Sequence, residues 1–266
     1  MPIRRALDGL RILVTRPRDQ AEPLVQALKR HGAHPVVFPV IQIEPMTDHS
    51  RLDSALTQLN QYEWVVFTSA HGVELTCGRM QALSIPIGNL AGQKVACIGP
   101  ATAHALEALG VQADLIPQEY VGEQLAEAMG EVAGTRVLLP RAEEGRKALP
   151  DMLSERGALV DEISIYRAVG EAPDPRAVAL IRKGLDVVTL TSPSIVRHFV
   201  TQMINLGLDP FQLPGAPAMA CIGPITSRAA TLAGFQPGIV ATTYTVDGLV
   251  EAICRYIEMK ALAGPD

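Results

Sequence analysis

The chain has 266 residues, 48% of them hydrophobic, which is enough for one sizeable core or for two cores of domain size. Its formal net charge of −5 excludes an overall basic field of the kind that attracts nucleic acid or an anionic membrane surface. No apolar run reaches the roughly 18 residues of a membrane span, and no signal-peptide core follows the first residues. We therefore expect a cytoplasmic protein with no nucleic-acid or membrane partner.

Short runs rich in Val, Ile and Leu alternate along the chain with longer segments of helical pattern. This alternation is typical of βα units on a parallel sheet, so the expected fold class is α/β. Strands are predicted in the first half at Arg11–Thr15, Val36–Phe38, Trp64–Thr68, Lys94–Ile98 and Asp114–Ile116. The strands predicted in the second half are Arg136–Leu139, Ala158–Asp161, Asp186–Leu190, Ala218–Ile222 and Gly238–Ala241. Helices between them include Ala21–His31, Ala101–Leu109 and Lys147–Arg156.

The two halves of the chain repeat each other. The pentapeptide Ala96–Pro100 returns unchanged as Ala220–Pro224, an offset of 124 residues. Other matches keep offsets of 123 to 125 residues: Thr68-Ser69 with Thr191-Ser192, Arg16 with Arg141, and Tyr120 with Tyr244. The chain is therefore a duplication, and we expect two similar lobes with the chemistry in the cleft between them.

Residues 38–45 and 161–167 look extended, occupy matching places in the two repeats and are interpreted as connectors that pair as a two-stranded ribbon. If both are crossovers, one lobe is 1–38 with 168–266 and the other is 44–163, with connecting strands at 39–43 and 164–167. Two contiguous lobes divided near Gly134 fit the spacing equally well.

The four cysteines are far apart and form no CxxC pair. Cys97 and Cys221 lie at matching positions in apolar strands, which favours small core residues over metal ligands. No group of side chains has the spacing of a metal site. We therefore expect a reduced protein with no structural metal.

Six segments that follow predicted strands combine hydroxyl, glycine, proline and arginine residues. They are Thr15–Pro17, Thr68–Gly72, Gly99–Thr102, Pro140–Gly145, Thr191–Ser194 and Gly223–Thr226. All six are predicted at the edge along which open α/β sheets bind ligands. Helix-start N–H groups, capping hydroxyls and arginines favour an anionic ligand there. Each segment alone is also typical of ordinary helix capping, so it is the recurrence in both halves that favours a site.

Two ring side chains near these segments are candidates for chemistry. Tyr166 lies in the second connector, where it either packs within the connector or projects its hydroxyl into the cleft as a proton donor. His71 is the best placed histidine, because it lies at a predicted helix start beside Ser69. The chain has no GxGxxG after a strand, no Walker motif and no HExxH, which argues against a nicotinamide or Walker-type nucleotide site.

Taken in order, several segments resemble those of uroporphyrinogen-III synthases, and the resemblance covers essentially the full length. They are Leu13–Pro17, Val66–Ser69, the Ile-Gly-Pro turns at Gly99 and Gly223, Ile163–Arg167, Ser192–Ser194 and Tyr244 with Leu249. The resemblance implies two flavodoxin-like lobes, parallel sheets flanked by helices, joined by a two-stranded antiparallel connector. It places the first βα unit in the lobe with the carboxyl terminus.

The resemblance also implies a hydro-lyase that needs no cofactor. Hydroxymethylbilane, a linear tetrapyrrole, is closed to uroporphyrinogen III in the inter-lobe cleft, with loss of water and inversion of the last ring. Tyr166 matches the family's tyrosine near the ladder and is the expected catalytic residue. Expected substrate contacts are Arg16 and Arg141, from the duplication, and Thr68, Ser69, Gly99, Ser192, Gly223 and Thr226. Ile225 stands where the family often has Thr, so Thr226 is expected to supply that hydroxyl.

Two other functions remain open. A non-catalytic two-lobed cytosolic protein that binds a small anionic ligand has the same layout. A nucleotide-sugar glycosyltransferase also has two lobes but usually needs a longer chain. A monomer is expected in each case, because no surplus apolar helix stands out.

Overall fold

A computed structural model describes residues 5–263. The chain divides into two compact units: unit 1 is Met1–Gln42 with Val169–Asp266, and unit 2 is Ile43–Ala168. The chain therefore changes unit twice, and Gly134 lies inside unit 2 rather than at a boundary.

The secondary structure is an alternation of strands and helices. The strands are β1 (Arg11–Val14), β2 (His34–Val37), β3 (Ile41–Pro45), β4 (Trp64–Phe67), β5 (Lys94–Cys97), β6 (Arg136–Ala142), β7 (Leu159–Gly170), β8 (Val187–Leu190), β9 (Ala218–Cys221) and β10 (Ile239–Val240). The helices are α1 (Arg18–Arg30), α2 (Ser50–Thr57), α3 (Ala70–Ala82), α4 (Pro100–Glu107), α5 (Gly122–Ala128), α6 (Ala148–Glu155), α7 (Pro175–Arg182), α8 (Pro193–Asn205), α9 (Pro224–Leu232) and α10 (Val246–Ala263). Short 3-10 helices cover Leu59–Gln61 and Ile87–Gly92.

The sheet of unit 1 has the strand order β10-β9-β8-β1-β2, and its neighbouring strands are parallel. The sheet of unit 2 has the order β3-β7-β6-β4-β5, with β7, β6, β4 and β5 parallel to one another. In unit 1 the order reverses between β1 and β8, because the chain leaves these two strands in opposite directions across the sheet. The corresponding reversal in unit 2 lies between β6 and β4.

Alternating burial explains why helices flank the sheet of unit 2. Val65 and Phe67 of β4 pack in one hydrophobic cluster with residues of α2, α3 and α4. Trp64 and Val66 pack in a second cluster with residues of α5 and α6. Because successive strand residues point to opposite faces, the two clusters lie on opposite faces of this sheet. In unit 1, Ile12 and Val14 of β1 pack against α1 and α10.

Both units secure the first strand of the repeat in the same way. In unit 1 the backbone N–H of Arg11 donates to Asp186 Oδ2 at 2.7 Å. In unit 2 the backbone N–H of Arg136 donates to Glu63 Oε2 at 2.6 Å. Each carboxylate thus satisfies a backbone donor at the beginning of a strand, which would otherwise lack a partner in the sheet.

Two strand predictions are wrong in extent. The strand expected at 114–116 is reduced to an isolated bridge between Leu115 and Ala96. The strand expected at 158–161 continues as β7 for 12 residues, because β7 pairs with β6 on one side and β3 on the other. Met46 N–H donates to Ile165 O and Glu171 N–H donates to Val40 O, so β3 and β7 run in opposite directions.

The expected burial of the two matched cysteines is confirmed. Cys97 and Cys221 are fully buried, and burial raises the pKa of each thiol to about 12. Across residues 5–263 we find neither a helix long and apolar enough to cross a membrane nor a cluster of His, Cys, Asp and Glu side chains that would hold a metal ion.

Candidate functional site

The predicted contact residues lie at the carboxyl ends of the parallel strands, each within its own unit. In unit 2, Thr68 and Ser69 follow β4, Gly99 follows β5 and Arg141 is near the end of β6. The corresponding residues of unit 1 are Arg16 after β1, Ser192 before α8, and Gly223 and Thr226 at the start of α9.

A pair of hydroxyl groups lies at this edge of unit 2. Tyr166 Oη on β7 is 2.8 Å from Ser69 Oγ, and either atom is able to donate. Ser69 Oγ also accepts the backbone N–H of Gly72 at 2.9 Å and so caps α3. Tyr166 is only 7% exposed, and the centres of the Tyr166 and His71 rings lie 6.0 Å apart in an edge-on arrangement. The tyrosine is therefore held in one place by packing as well as by hydrogen bonding.

The surroundings of Tyr166 keep its phenol protonated. Burial raises the pKa of Tyr166 above its ordinary value of about 10, while the hydrogen bond with Ser69 and the charge of Arg141 oppose that rise. At neutral pH the group is therefore a neutral phenol with one proton to give. The positive charge of Arg141 favours the phenolate that remains after that proton has left.

Arg141 is buried without a full set of partners. It is 4% exposed, and its Nη2 donates to the backbone oxygen of Arg146 at 2.7 Å. Its Nη1 is 3.5 Å from Glu162 Oε1, but neither Nη1 nor Nε makes a hydrogen bond within residues 5–263. Burial lowers the pKa of this guanidinium. Since buried donors in native proteins are nearly always satisfied, two guanidinium nitrogens without acceptors make Arg141 a candidate for binding an anion.

The loop after β6 fits closely over Arg141. A Cβ atom on Gly145 would collide with the Arg141 guanidinium, so any other residue there would have to displace the guanidinium. Ser69, Arg141 and Tyr166, which we call the unit 2 cluster, come from β4, β6 and β7, three neighbouring strands. The structure thus brings these three predicted residues together, at the reversal of strand order between β4 and β6.

The matching residues of unit 1 make different contacts. Arg16 Nη2 donates to Gln20 Oε1 at 3.0 Å, and Arg16 Nε makes no hydrogen bond in the described part of the chain. Burial lowers the pKa of Arg16, and the charge of Asp19 opposes this. Ser192 caps α8 through the backbone N–H of Ile195 at 3.2 Å, and its Oγ lies 2.9 Å from Ser194 Oγ.

Two tyrosines beside the Ile-Gly-Pro turns escaped the sequence prediction of the site. A Cβ on Gly99 would lie 3.2 Å from the ring of Tyr120, and one on Gly223 would lie 3.1 Å from the ring of Tyr244. Glycine therefore stands at both turns because a tyrosine ring packs on its Cα. Both pairs are separated by 21 residues in the sequence, a signal that was open to detection.

Thr226 lies in the first turn of α9 and is 4% exposed. Its match in unit 2, Thr102, occupies the first turn of α4 and is equally buried. The substrate role predicted for Thr226, like the roles of the other contact residues, stays a prediction.

Similarity to known proteins identifies the family. The family model for uroporphyrinogen-III synthase HemD matches residues 22–251. The chain belongs to the uroporphyrinogen-III synthase family. It is 34% identical over 252 residues to a uroporphyrinogen-III synthase of Synechococcus elongatus, covering 93% of this chain and 95% of that one. A putative uroporphyrinogen-III synthase of Methanocaldococcus jannaschii is 27% identical over 253 residues, covering 92% and 98%.

Solved uroporphyrinogen-III synthases share the fold. A crystal structure of a mutant enzyme from Thermus thermophilus covers 94% of this chain and all of its own, with a TM-score of 0.65 at 19% identity. The enzyme from Helicobacter pylori covers 93% and 99%, with a TM-score of 0.58 at 14% identity. The α/β fold with parallel sheets flanked by helices is therefore confirmed.

Membership of the uroporphyrinogen-III synthase family makes this chain an enzyme of porphyrin biosynthesis. The alternative of a non-catalytic anion-binding protein finds no support among these relatives.

Proposed function

We propose that the chain cyclises hydroxymethylbilane to uroporphyrinogen III at the carboxyl edges of its sheets, with Tyr166 as the proton donor. The observation that carries this proposal is the unit 2 cluster, in which a buried neutral phenol lies beside a buried guanidinium with two nitrogens that make no hydrogen bond. A proton donor and an anion-binding group at one edge suit a substrate with a leaving hydroxyl and many carboxylates.

The first chemical step is loss of the substrate hydroxyl. The Tyr166 phenol gives its proton to the hydroxyl oxygen, the carbon–oxygen bond breaks, and its electron pair leaves with water. The positive charge that remains on carbon spreads over the adjoining pyrrole. The phenolate is stabilised by the Ser69 hydroxyl and by the charge of Arg141.

The later steps need positioning more than further acid. The end ring has to attack through its substituted carbon, and the ring inversion passes through a spirocyclic pyrrolenine in this family. Holding the substrate carboxylates fixes which carbon reaches the cation, and such orientation accounts for much of the rate in cyclisations.

The proposed substrate contacts are groups suited to carboxylates. Arg141 has two buried nitrogens without an acceptor and Arg16 has one, and both side chains are held by neighbouring residues. The remaining contacts proposed are Thr68, Gly99, Ser192, Gly223 and Thr226, at or near helix starts, where N–H groups and the helix dipole favour anions. With the strands of unit 1 numbered in chain order, the sheet has the flavodoxin-like order 2-1-3-4-5, in which ligands bind at the reversal point.

We propose no metal or cofactor for this reaction, because each step needs only proton transfer and orientation. We further propose that the enzyme acts in the cytoplasm as a monomer, without a nucleic-acid or membrane partner.

The test is the isomer that the purified chain produces. Supplied with hydroxymethylbilane, it is expected to yield the type III isomer, whereas the same substrate in buffer closes spontaneously to type I. Prior dialysis against a chelator is expected to leave the yield of type III unchanged. Recovery of type I alone would overturn the proposed function.

A further inference from the structure

The Tyr166–Ser69 pair has one more hydroxyl proton than the hydrogen bond between the two groups uses. Ser69 Oγ uses one lone pair to accept the Gly72 N–H, and it has one proton of its own. Tyr166 Oη also has one proton, and Ser69 is its hydrogen-bond partner within residues 5–263. Only one of the two protons occupies the bond between them. The other is left over for an external acceptor.

The proton outside that hydrogen bond is the one available to the substrate. The relative acidity of the two hydroxyl groups decides whether it comes from Tyr166 or from Ser69. A phenol is a far stronger acid than an aliphatic hydroxyl, and the nearby charge of Arg141 favours the phenolate over the neutral phenol. An arrangement in which Ser69 donates to Tyr166 Oη leaves the phenolic proton pointing away from Ser69. The opposite arrangement would place the weaker acid against the substrate.

The matched serine of unit 1 shows what this position does without a tyrosine. Ser192 caps α8 as Ser69 caps α3, but its hydroxyl meets Ser194 instead of a phenol. At the sequence offset of 125 residues that relates Arg11 to Arg136, the residue that matches Tyr166 is Ile41, which has no hydroxyl. Helix capping is thus common to both units, and the contact with a phenol belongs to unit 2.

We propose that Ser69 is a positioning residue that donates its proton to Tyr166 Oη and thereby directs the phenolic proton to the substrate. This inference rests on the proposed function, since it needs Tyr166 as the proton donor. It assigns Ser69 a part in turnover through Tyr166 rather than a direct contact with the substrate.

The experiment is a cycle of Ser69→Ala, Tyr166→Phe and the double variant, each assayed for kcat and KM with hydroxymethylbilane. Ser69→Ala is expected to lower kcat about 10-fold, the size of one lost hydrogen bond, with little change in KM. In the Tyr166→Phe background the same substitution is expected to cost less than about twofold, because the group it orients is absent.

Two further variants separate orientation from helix capping. Ser69→Thr keeps the donor and the cap and is expected to restore kcat to within about threefold of wild type. Asp174, which is not one of the proposed contacts, caps α7 through the Arg176 N–H, so Asp174→Ala removes a cap of the same kind. It is expected to lower thermal stability to a similar extent without changing kcat.

Several results would overturn the positioning role. A raised KM with unchanged kcat in Ser69→Ala makes Ser69 a substrate contact, and an equal loss in both backgrounds makes it independent of Tyr166. A larger loss from Ser69→Ala than from Tyr166→Phe makes Ser69 the donor. If wild-type protein forms the type III isomer and Tyr166→Phe is impaired while Ser69→Ala is not, the inference fails alone and the proposed function stands.

Discussion

The two units share a backbone plan but differ in the polar atoms that the plan presents. Each has a serine cap after one of its strands, β8 in unit 1 and β4 in unit 2. Each also has a glycine against a tyrosine ring and a carboxylate that secures the first strand of a repeat, β1 in unit 1 and β6 in unit 2. Unit 2 adds the phenol of Tyr166 and the almost fully buried Arg141, whereas unit 1 has Ile41 and an Arg16 bonded to Gln20.

This difference distinguishes features that support the duplicated fold from features that are specific to the proposed chemistry. Features that satisfy backbone groups recur in both units, because losing one leaves a buried donor without a partner. Features that leave buried polar atoms without a hydrogen bond lower stability. In unit 2 one such side chain, Arg141, has two nitrogens of this kind. We therefore expect proton transfer to depend on unit 2 and anion binding to depend on both units to unequal degrees.

The largest effect is expected from Tyr166→Phe, which removes the hydroxyl that the matching residue of unit 1, Ile41, also lacks. General acid catalysis contributes a factor of about 10² to 10⁴ to the rate, so kcat is expected to decrease by a factor in that range. Product binding is expected to change little, since the ring and its packing remain. Steady-state kinetics with hydroxymethylbilane, and titration with product, measure the two effects.

Tyr62→Phe is the matched control in the same unit. Tyr62 is buried too, and its hydroxyl donates to Asp161 Oδ2 at 2.6 Å, but it lies just before β4, at the opposite edge of the sheet. Its loss is expected to lower the free energy of unfolding by about 1 kcal/mol and to leave kcat unchanged. Equal kcat values for the two variants would remove Tyr166 from the chemistry.

A smaller effect is expected from the paired substitutions Arg141→Met and Arg16→Met. A charge-assisted hydrogen bond is worth about 1.5–3 kcal/mol, so loss of the Arg141 contact is expected to raise KM about 10- to 100-fold. Arg16→Met is expected to raise KM less, because Arg16 Nη2 already bonds to Gln20 and Nε is its one buried nitrogen without an acceptor within residues 5–263.

Stability measurements distinguish binding from structure in this pair. Arg141→Met removes a guanidinium with few acceptors and leaves Glu162 paired with Lys147 Nζ at 2.7 Å, so no charge is stranded and the variant is expected to unfold at a urea concentration close to that of wild type. A strongly destabilised Arg141→Met protein with normal KM would show that the buried guanidinium supports the fold. Equal rises in KM for both variants would contradict the prediction that Arg141 of unit 2 contributes more to anion binding than Arg16 of unit 1.

Local pattern and duplication were sufficient to predict most strands and the sheet edge at which the unit 2 cluster lies. They were insufficient for β7, whose length depends on pairing with both β6 and β3, and for 114–116, where only one bridge forms. The contact between Tyr166 and Ser69 joins residues 97 apart, which no spacing rule connects. The lack of hydrogen bonds at two Arg141 nitrogens depends on how the side chain packs beneath the loop at Gly145. Sequence pattern does not reveal such packing.

The smallest expected effect concerns a third difference between the units. Asp161 Oδ2 accepts from Tyr62 Oη and from Arg136 Nη2 at 2.8 Å, whereas at the same offset of 125 residues unit 1 has Val36. The hydrogen bond from Tyr62, assisted by Arg136, holds the pKa of Asp161 below its ordinary value. The folded state therefore binds this proton less readily than the unfolded state.

Stability from Asp161 is accordingly present above about pH 4 and is lost as the pH falls through the lowered pKa. Because the side chain is 38% exposed, solvent screening limits the contribution to less than about 1 kcal/mol. Asp161→Asn is thus expected to unfold at a lower urea concentration than wild type at pH 7, with the gap narrowing from pH 5 to pH 3. The gap should also shrink in a Tyr62→Phe background, since the main cause of the pKa shift is gone. A gap that stays constant with pH would assign the effect to packing instead of to the carboxylate.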